Sequence, residues 1–415
     1  MPEKMPEKVP DRPNVLFVLF DCMRSRMLFD PSRGVQAPTI RGLIDGGAGF
    51  DTCIATATTT SPSMGSLFTG TLPPVHGIRS LRGYKLNPAV ATLAEILRDS
   101  GYHTHAEATG PVVRQKDMHR GFDAFHHRDE VLHDPATWAR LQERVAGMPA
   151  DRPWLFYLHL WELHWPRSVP REFDRRRYGA HRYERALTAL DRLKLPRLLE
   201  LAGENTVVVM TGDHGEVPRL DLAKKVARRL SWKAPKAWID VRSGHGFGVI
   251  EDLVRVPLVL HGPGVPPSGR VGTAVRHVDL FPTVLELAGA GTDPRAAQGP
   301  GRSLLPLLPG GGEDRPGYSE AVGVKMGSAE NWLVSVRHDG WKLIRRAGGD
   351  APPVLWRLPD ESTDVAVANP EVVARLESLL EDLLAGTPIQ RTGGDLSAQE
   401  SAEVEEHLRD LGYID

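Results

Sequence analysis

The chain has 415 residues, which at about 150 residues per domain suggests roughly two to three domains, or one large body with an appendage. Hydrophobic residues make up 41% and charged residues 25%, ordinary globular usage that excludes disordered, collagen-like and low-complexity classes. Lys and Arg (51) against Asp and Glu (53) leave a net charge of −2, so no overall field holds a nucleic-acid polymer or an anionic membrane.

The first twelve residues are polar and Pro-rich, and the first apolar run, 15–20, is far too short for a signal core or a membrane span. Two cysteines, Cys22 and Cys53, are too few for a disulfide framework and suit a reducing compartment. These features predict a cytoplasmic chain with no membrane span, in which each cysteine is a small buried apolar residue.

Four near-continuous apolar runs follow, at 15–20, 154–161, 206–211 and 257–261. Such runs suit strands of a parallel sheet covered on both faces. Helix-like stretches at 88–99, 183–202 and 277–288 each end near a glycine, the usual C-terminal signal. The alternation predicts an α/β fold with a large, mostly parallel central sheet flanked by helices. In such sheets the ligand sits beyond the carboxyl ends of the strands. Asp21, then Glu162 and His164, then Asp213 and His214 fall at those ends.

The glycine run at 310–312 marks a change. Short strand-like pieces at 332–337, 341–345 and 354–358 and a helix at 369–385 predict a smaller C-terminal α+β unit. A linker at 386–399 and a terminal helix at 401–411 complete the chain. The expected organisation is a catalytic domain over 13–310, a subdomain over 311–390, and a linker with terminal helix over 391–415.

Asp213-His214-Gly215-Glu216 places a carboxylate beside an imidazole after a strand, and both are good ligands for zinc or manganese. Taken alone, the same four residues also read as an Asp-capped turn with a surface His. Thr58 to Ser63 form a hydroxyl-rich loop entering a helix. At a helix N-terminus a phosphoryl or sulfuryl group meets unpaired N–H groups and a positive dipole end, and a metal-bound hydroxyl becomes a nucleophile near neutral pH. The plain alternative is an N-cap cluster. Glu162, His164 and His245, the last between two glycines, add ligand-type side chains, each of which separately also reads as a packed, hydrogen-bonded residue.

Taken in order, these elements resemble the alkaline phosphatase superfamily and, within it, the sulfatase-like branch. The matching segments are residues 13–21, Ser61-Pro62-Ser63 with Leu67-Phe68-Thr69-Gly70, residues 211–216, 255–259 and 278–283, and the terminal 408–413. Three departures stand out. Thr60 occupies the place of the Cys or Ser that sulfatases oxidise to formylglycine, and Met64 the place of an Arg. Cys22 also replaces an Asp that helps sulfatases hold calcium, which favours zinc or manganese.

The resemblance implies a metal-dependent hydrolase or transferase acting on phosphate esters, diester or monoester, through a covalent Thr60 intermediate. Asp21, Thr60, Asp213 and His214 would hold one divalent metal. His164 and His245, with Glu162, would hold a second or bind the substrate's oxygens, and Ser61 and Ser63 would contact substrate. Zinc is favoured, as one or two ions, ahead of manganese or calcium. The expected partner is a small-molecule or carrier-linked anionic ester; oligomeric state carries no sequence signal. A basic insertion over 217–243 reads either as a polyanion contact or as a solvated helix face. Two other functions remain open: a sulfuryl ester hydrolase working without formylglycine, and a non-catalytic sulfatase-fold binding protein.

Overall fold

The computed structural model describes residues 12–30, 32–217, 244–308, 310–322, 332–348, 350–385 and 395–414. The basic insertion, from residue 218 onward, and the linker over 386–394 lie outside the described residues.

The main sheet contains β1 (Asn14–Phe20), β2 (Ala48–Ile54), β3 (His103–Thr109), β4 (Ala124–Arg128), β5 (Trp154–Leu160), β6 (Thr206–Gly212), β7 (Arg255–His261), β8 (Gly269–Val271) and β9 (Val275–Arg276). Their order is β4-β3-β5-β1-β6-β7-β2-β8, with β9 beside β2. β1 is central and parallel to β5 and β6, pairing Phe20 with Leu160 on one side and with Gly212 on the other. Alternate residues of β1 serve different cores. Val15, Phe17 and Leu19 enter one hydrophobic cluster, and Leu16, Val18 and Phe20 enter the other, because successive strand side chains point to opposite faces. That double burial is why the strand reads as a continuous apolar run.

The apolar run at 257–261 forms a strand, but β7 is antiparallel to both β6 and β2. Burial on two faces dictates its composition and says nothing of its direction. The helix expected at 88–99 begins only at Leu93, because Thr92 and Glu95 form a reciprocal capping box there. The stretch expected as one helix over 183–202 is two, Arg182–Leu193 and Leu195–Ala202. Pro196 has no N–H to continue the first ladder.

The second sheet is antiparallel, in the order β10 (Gly317–Ala321), β11 (Leu333–His338), β12 (Trp341–Arg346) and β13 (Val354–Arg357). The helix Pro370–Ala385 packs on it through Leu376 and Leu380. Ser319 ties this sheet to the main body by donating to the Ala55 carbonyl at 2.6 Å. The terminal helix, Ala398–Asp410, folds back onto the main body, where Val404 and Leu408 pack on Leu81. Ion pairs from Lys85 to Glu400 and from Arg82 to Glu405 hold it there.

Beneath that docking loop Lys116 is fully buried. Its ammonium reaches the carbonyls of Ser80 and Tyr84, each at 3.4 Å, and burial pushes its pKa down from 10.5 to about 7. The unfolded chain therefore binds more protons than the folded one between these values, so this group makes stability rise with pH across that window. Lys116→Met should flatten the rise, and chemical denaturation at pH 7, 8.5 and 10 measures it.

Candidate active site

The parallel register brings the carboxyl ends of β1, β5 and β6 level, and the residues just past those ends meet. Asp21 follows β1, and Asp213 and His214 follow β6. Thr60 opens the helix Thr60–Thr69 and aims its hydroxyl at them. Thr60 Oγ1 donates to Asp21 Oδ2 at 3.1 Å and lies 3.4 Å from His214 Nε2. All four residues are fully buried.

Burial sets the protonation states. It raises the Asp21 carboxyl, helped by the charge of Asp213, and it raises Asp213 as well. It pushes the His214 imidazole down to about 4. His214 Nδ1 lies 2.8 Å from the Gly215 carbonyl, which can only accept, so Nδ1 carries the proton. Nε2 then presents a lone pair toward Thr60 and Asp213. A ring held in one tautomer by a carbonyl is the usual arrangement of a metal-binding histidine.

His159, inside β5, was not among the residues expected from sequence. Its Nδ1 is fixed by the Thr109 carbonyl at 3.1 Å, burial pushes it to about 3, and its Nε2 lies 3.7 Å from Asp21 Oδ2. A lone pair thus faces a carboxylate with no proton between them. Asp21 Oδ1 and Asp213 Oδ2 are also buried without a hydrogen-bond partner. Asp21, His159 and Asp213 offer ligand atoms within 4.8 Å of one another. A divalent cation fits this donor set, because it would neutralise two desolvated carboxylates that otherwise repel. The only sequence signal for His159 was a polar residue interrupting an apolar run.

His164 and His245 are brought together as expected, with their Nε2 atoms 3.3 Å apart. His164 stacks on Trp161, ring centres 4.0 Å apart, and the Tyr413 hydroxyl from the chain's tail lies 2.9 Å from His164 Nε2. Glu162 is not with them. Its Oε1 accepts from the Leu132 N–H at 2.5 Å, so it braces a neighbouring loop. Ser61 donates to the Pro111 carbonyl at 3.1 Å and Ser63 to the Asp213 carbonyl at 2.5 Å, which orients the Thr60 helix against the ligand-bearing loops. Met64 is buried and accepts from the Tyr157 hydroxyl at 3.3 Å.

Gly215 lets the Asp213-His214 turn pass close to a neighbouring segment. Its N–H donates to the Leu253 carbonyl at 2.8 Å, and a Cβ there would lie 2.0 Å from the Asp252 carbonyl oxygen. Backbone cannot yield as a flexible side chain does. Gly215→Ala is expected to destabilise the fold by about 1–3 kcal/mol, read as a lower urea midpoint with an unchanged m-value.

Residues 13–290 match the family described as Sulfatase. Among curated proteins, arylsulfatase K of Gallus gallus is 31% identical over 194 residues, which cover 44% of this chain and 31% of that protein. Arylsulfatase K of Mus musculus is 24% identical over 463 residues, 92% of this chain and 81% of the relative. Among solved structures, the phosphonate monoester hydrolase of Agrobacterium radiobacter superposes with a TM-score of 0.69 at 19% identity, covering 93% of this chain and 99% of that one. The last likeness establishes the fold. The relatives overturn the expected cytoplasmic location, since arylsulfatase K is a sulfatase of lysosomal or endoplasmic-reticulum type. Free cysteines misled that expectation because buried thiols are inert in any compartment. Among the described residues no helix is long and apolar enough to cross a membrane.

Proposed function

The chain belongs to the sulfatase family, whose members are hydrolases, and from that premise we propose that it cleaves phosphate-type esters, diester or monoester, through a covalent intermediate on Thr60. The observation that carries this reading is the placement of Thr60 Oγ1 at a helix N-terminus, 3.1 Å from Asp21 Oδ2 and 3.4 Å from His214 Nε2. A hydroxyl packed for structure alone has no need of a carboxylate and an imidazole lone pair together.

Asp21, Asp213, His214 and His159 would hold a divalent ion, zinc before manganese, which supplies Lewis-acid polarisation of the ester and lowers the pKa of the hydroxyl beside it. Thr60 Oγ1 attacks phosphorus and passes its proton along the existing hydrogen bond to Asp21 Oδ2. The bond from phosphorus to the leaving oxygen breaks, and that oxygen departs as the alcohol with a proton from solvent, while Asp21 keeps the threonine's proton for return to Oγ1 in the second step. The N-terminal dipole of the Thr60–Thr69 helix favours the negative charge that gathers on the remaining phosphoryl oxygens. Water, or an acceptor alcohol in a transfer reaction, then attacks phosphorus and restores the threonine. On this reading His164 and His245, whose Nε2 atoms lie 3.3 Å apart, meet the substrate's outer oxygens or a second ion.

A sulfate ester is the second reading, favoured by the names of the relatives. Threonine has no route to the aldehyde hydrate of formylglycine, so on this reading sulfur too would be attacked directly by Thr60. Activity toward bis-p-nitrophenyl phosphate, p-nitrophenyl phosphate and p-nitrophenyl sulfate separates the two. The phosphate esters are expected to turn over faster, and a faster sulfate rate reverses the assignment. Thr60→Ala should lower kcat by about 1,000-fold or more, as loss of a nucleophile does, while Thr60→Ser retains measurable turnover.

A further inference from the structure

Cys22 takes no part in the reaction outlined above, yet it is placed with unusual care. It follows Asp21 directly, is fully buried, and adopts a left-handed backbone with φ 61°, which a residue with a Cβ adopts only when its surroundings enforce it. They do so from both sides. The Cys22 N–H donates to Asp213 Oδ1 at 3.0 Å, and its carbonyl accepts from the Tyr183 hydroxyl at 2.7 Å. The same Tyr183 oxygen receives the Arg24 N–H at 3.0 Å.

Cys22 belongs to none of the described apolar clusters and lies instead among ligand-type atoms. Its ligand atom lies within 4.8 Å of those of Asp21 and His214 and, in a second group, within 4.8 Å of those of His164 and His245. Cys22 is the one residue that these two groups share. The sulfur lies 3.9 Å from His214 Nδ1, a nitrogen that already serves the Gly215 carbonyl, and it also interacts with the Asp21 carboxyl. Asp21, in the first group, has its Oδ1 buried with no hydrogen-bond partner. Cys53 shows what a cysteine used as filler looks like here: it is buried in the apolar cluster of Phe50, Val256 and Val275.

We propose that Cys22 is a metal ligand whose sulfur serves both the Asp21–His214 and the His164–His245 groups, giving the centre a preference for soft divalent ions. The proposal rests on the metal-dependent reading given above. Binding forms a metal–sulfur bond and breaks the S–H bond, with the proton released to solvent. A thiolate beside imidazoles selects zinc or cobalt over calcium, magnesium and manganese, which prefer oxygen. The two histidines thereby become ligands rather than contacts to substrate.

The test is spectroscopic and needs no substrate. Full-length protein is stripped with chelator, loaded with cobalt(II), and its near-ultraviolet and visible absorption recorded, with bound metal counted per chain. A sulfur-to-cobalt charge-transfer band in the near ultraviolet is expected in the wild type. Cys22→Ser should lose that band while keeping the weaker visible bands of cobalt held by nitrogen and oxygen, and Cys53→Ser should keep both. In competition, Cys22→Asp should shift the zinc-over-manganese preference at least tenfold toward manganese. Cobalt bound without the charge-transfer band, or a band that survives in Cys22→Ser, overturns the proposal and leaves the Thr60 mechanism standing. Failure of the wild type to bind any ion overturns both. Because the decisive spectrum belongs to the wild type, a variant that folds poorly does not rescue the idea.

Discussion

The site is organised around two acids that are taken out of water side by side. Asp21 and Asp213 end the two central parallel strands, β1 and β6, and no Lys or Arg reaches either of them among the described ion pairs. The surrounding groups that do reach them are N–H donors, one hydroxyl and imidazoles held neutral by burial. Hydrogen bonds of that kind soften the cost of desolvation but do not cancel two charges. A divalent cation does, and the orphaned oxygens Asp21 Oδ1 and Asp213 Oδ2 mark where its charge is needed. On the metal-dependent reading, Thr60, His214 and His159 are grouped around that one requirement.

Much of this was legible in the sequence because the same physics writes both. A strand covered on two faces must be apolar along its length, so a ligand at its end stands out as the first charged residue, as Asp21 and Asp213 do. What was not legible depends on direction and distance. β7 has the composition of a parallel central strand and runs the other way. β2, β3 and β4 escaped notice because glycine, threonine, histidine and aspartate dilute their apolar pattern, although β2 is buried throughout. His159 was hidden inside a strand, where a histidine is ordinarily a packed residue, and only its distance to Asp21 gives it a role. Glu162 shows the converse. It has the right chemistry at the right strand end, and its side chain turns away to the Leu132 N–H.

The tail illustrates a long-range dependence that no local pattern carries. Residues 408–413 matched a terminal family segment, with nothing to say where they would lie. In the structure His407 meets the Gly110 carbonyl at 2.9 Å, and Tyr413 then reaches His164. Gly110 is itself constrained, because a Cβ there would lie 2.2 Å from the Trp161 ring, and Trp161 is the surface on which His164 stacks. One glycine thus links the end of β3, the aromatic support of a candidate ligand and the docking of the tail. At the site the tail offers the uncharged ring of Tyr413, which packs against Trp161, His164 and His245.

Among the described residues no Lys or Arg pairs with Asp21 or Asp213, and this bears on which esters suit the site. His159 and His214 are held neutral by burial, and Met64 lies in an apolar cluster and adds no charge. Arg167, three residues after His164, is paired with Glu216. On the proposed mechanism the positive potential at the transferring group comes from the bound ion and the helix N-terminus. With two carboxylates already drawing on the ion, little remains to offset a doubly charged substrate. A phosphodiester, a phosphonate monoester or a sulfate ester brings one negative charge, whereas a phosphate monoester brings up to two. On that mechanism the balance of charge favours the singly charged esters.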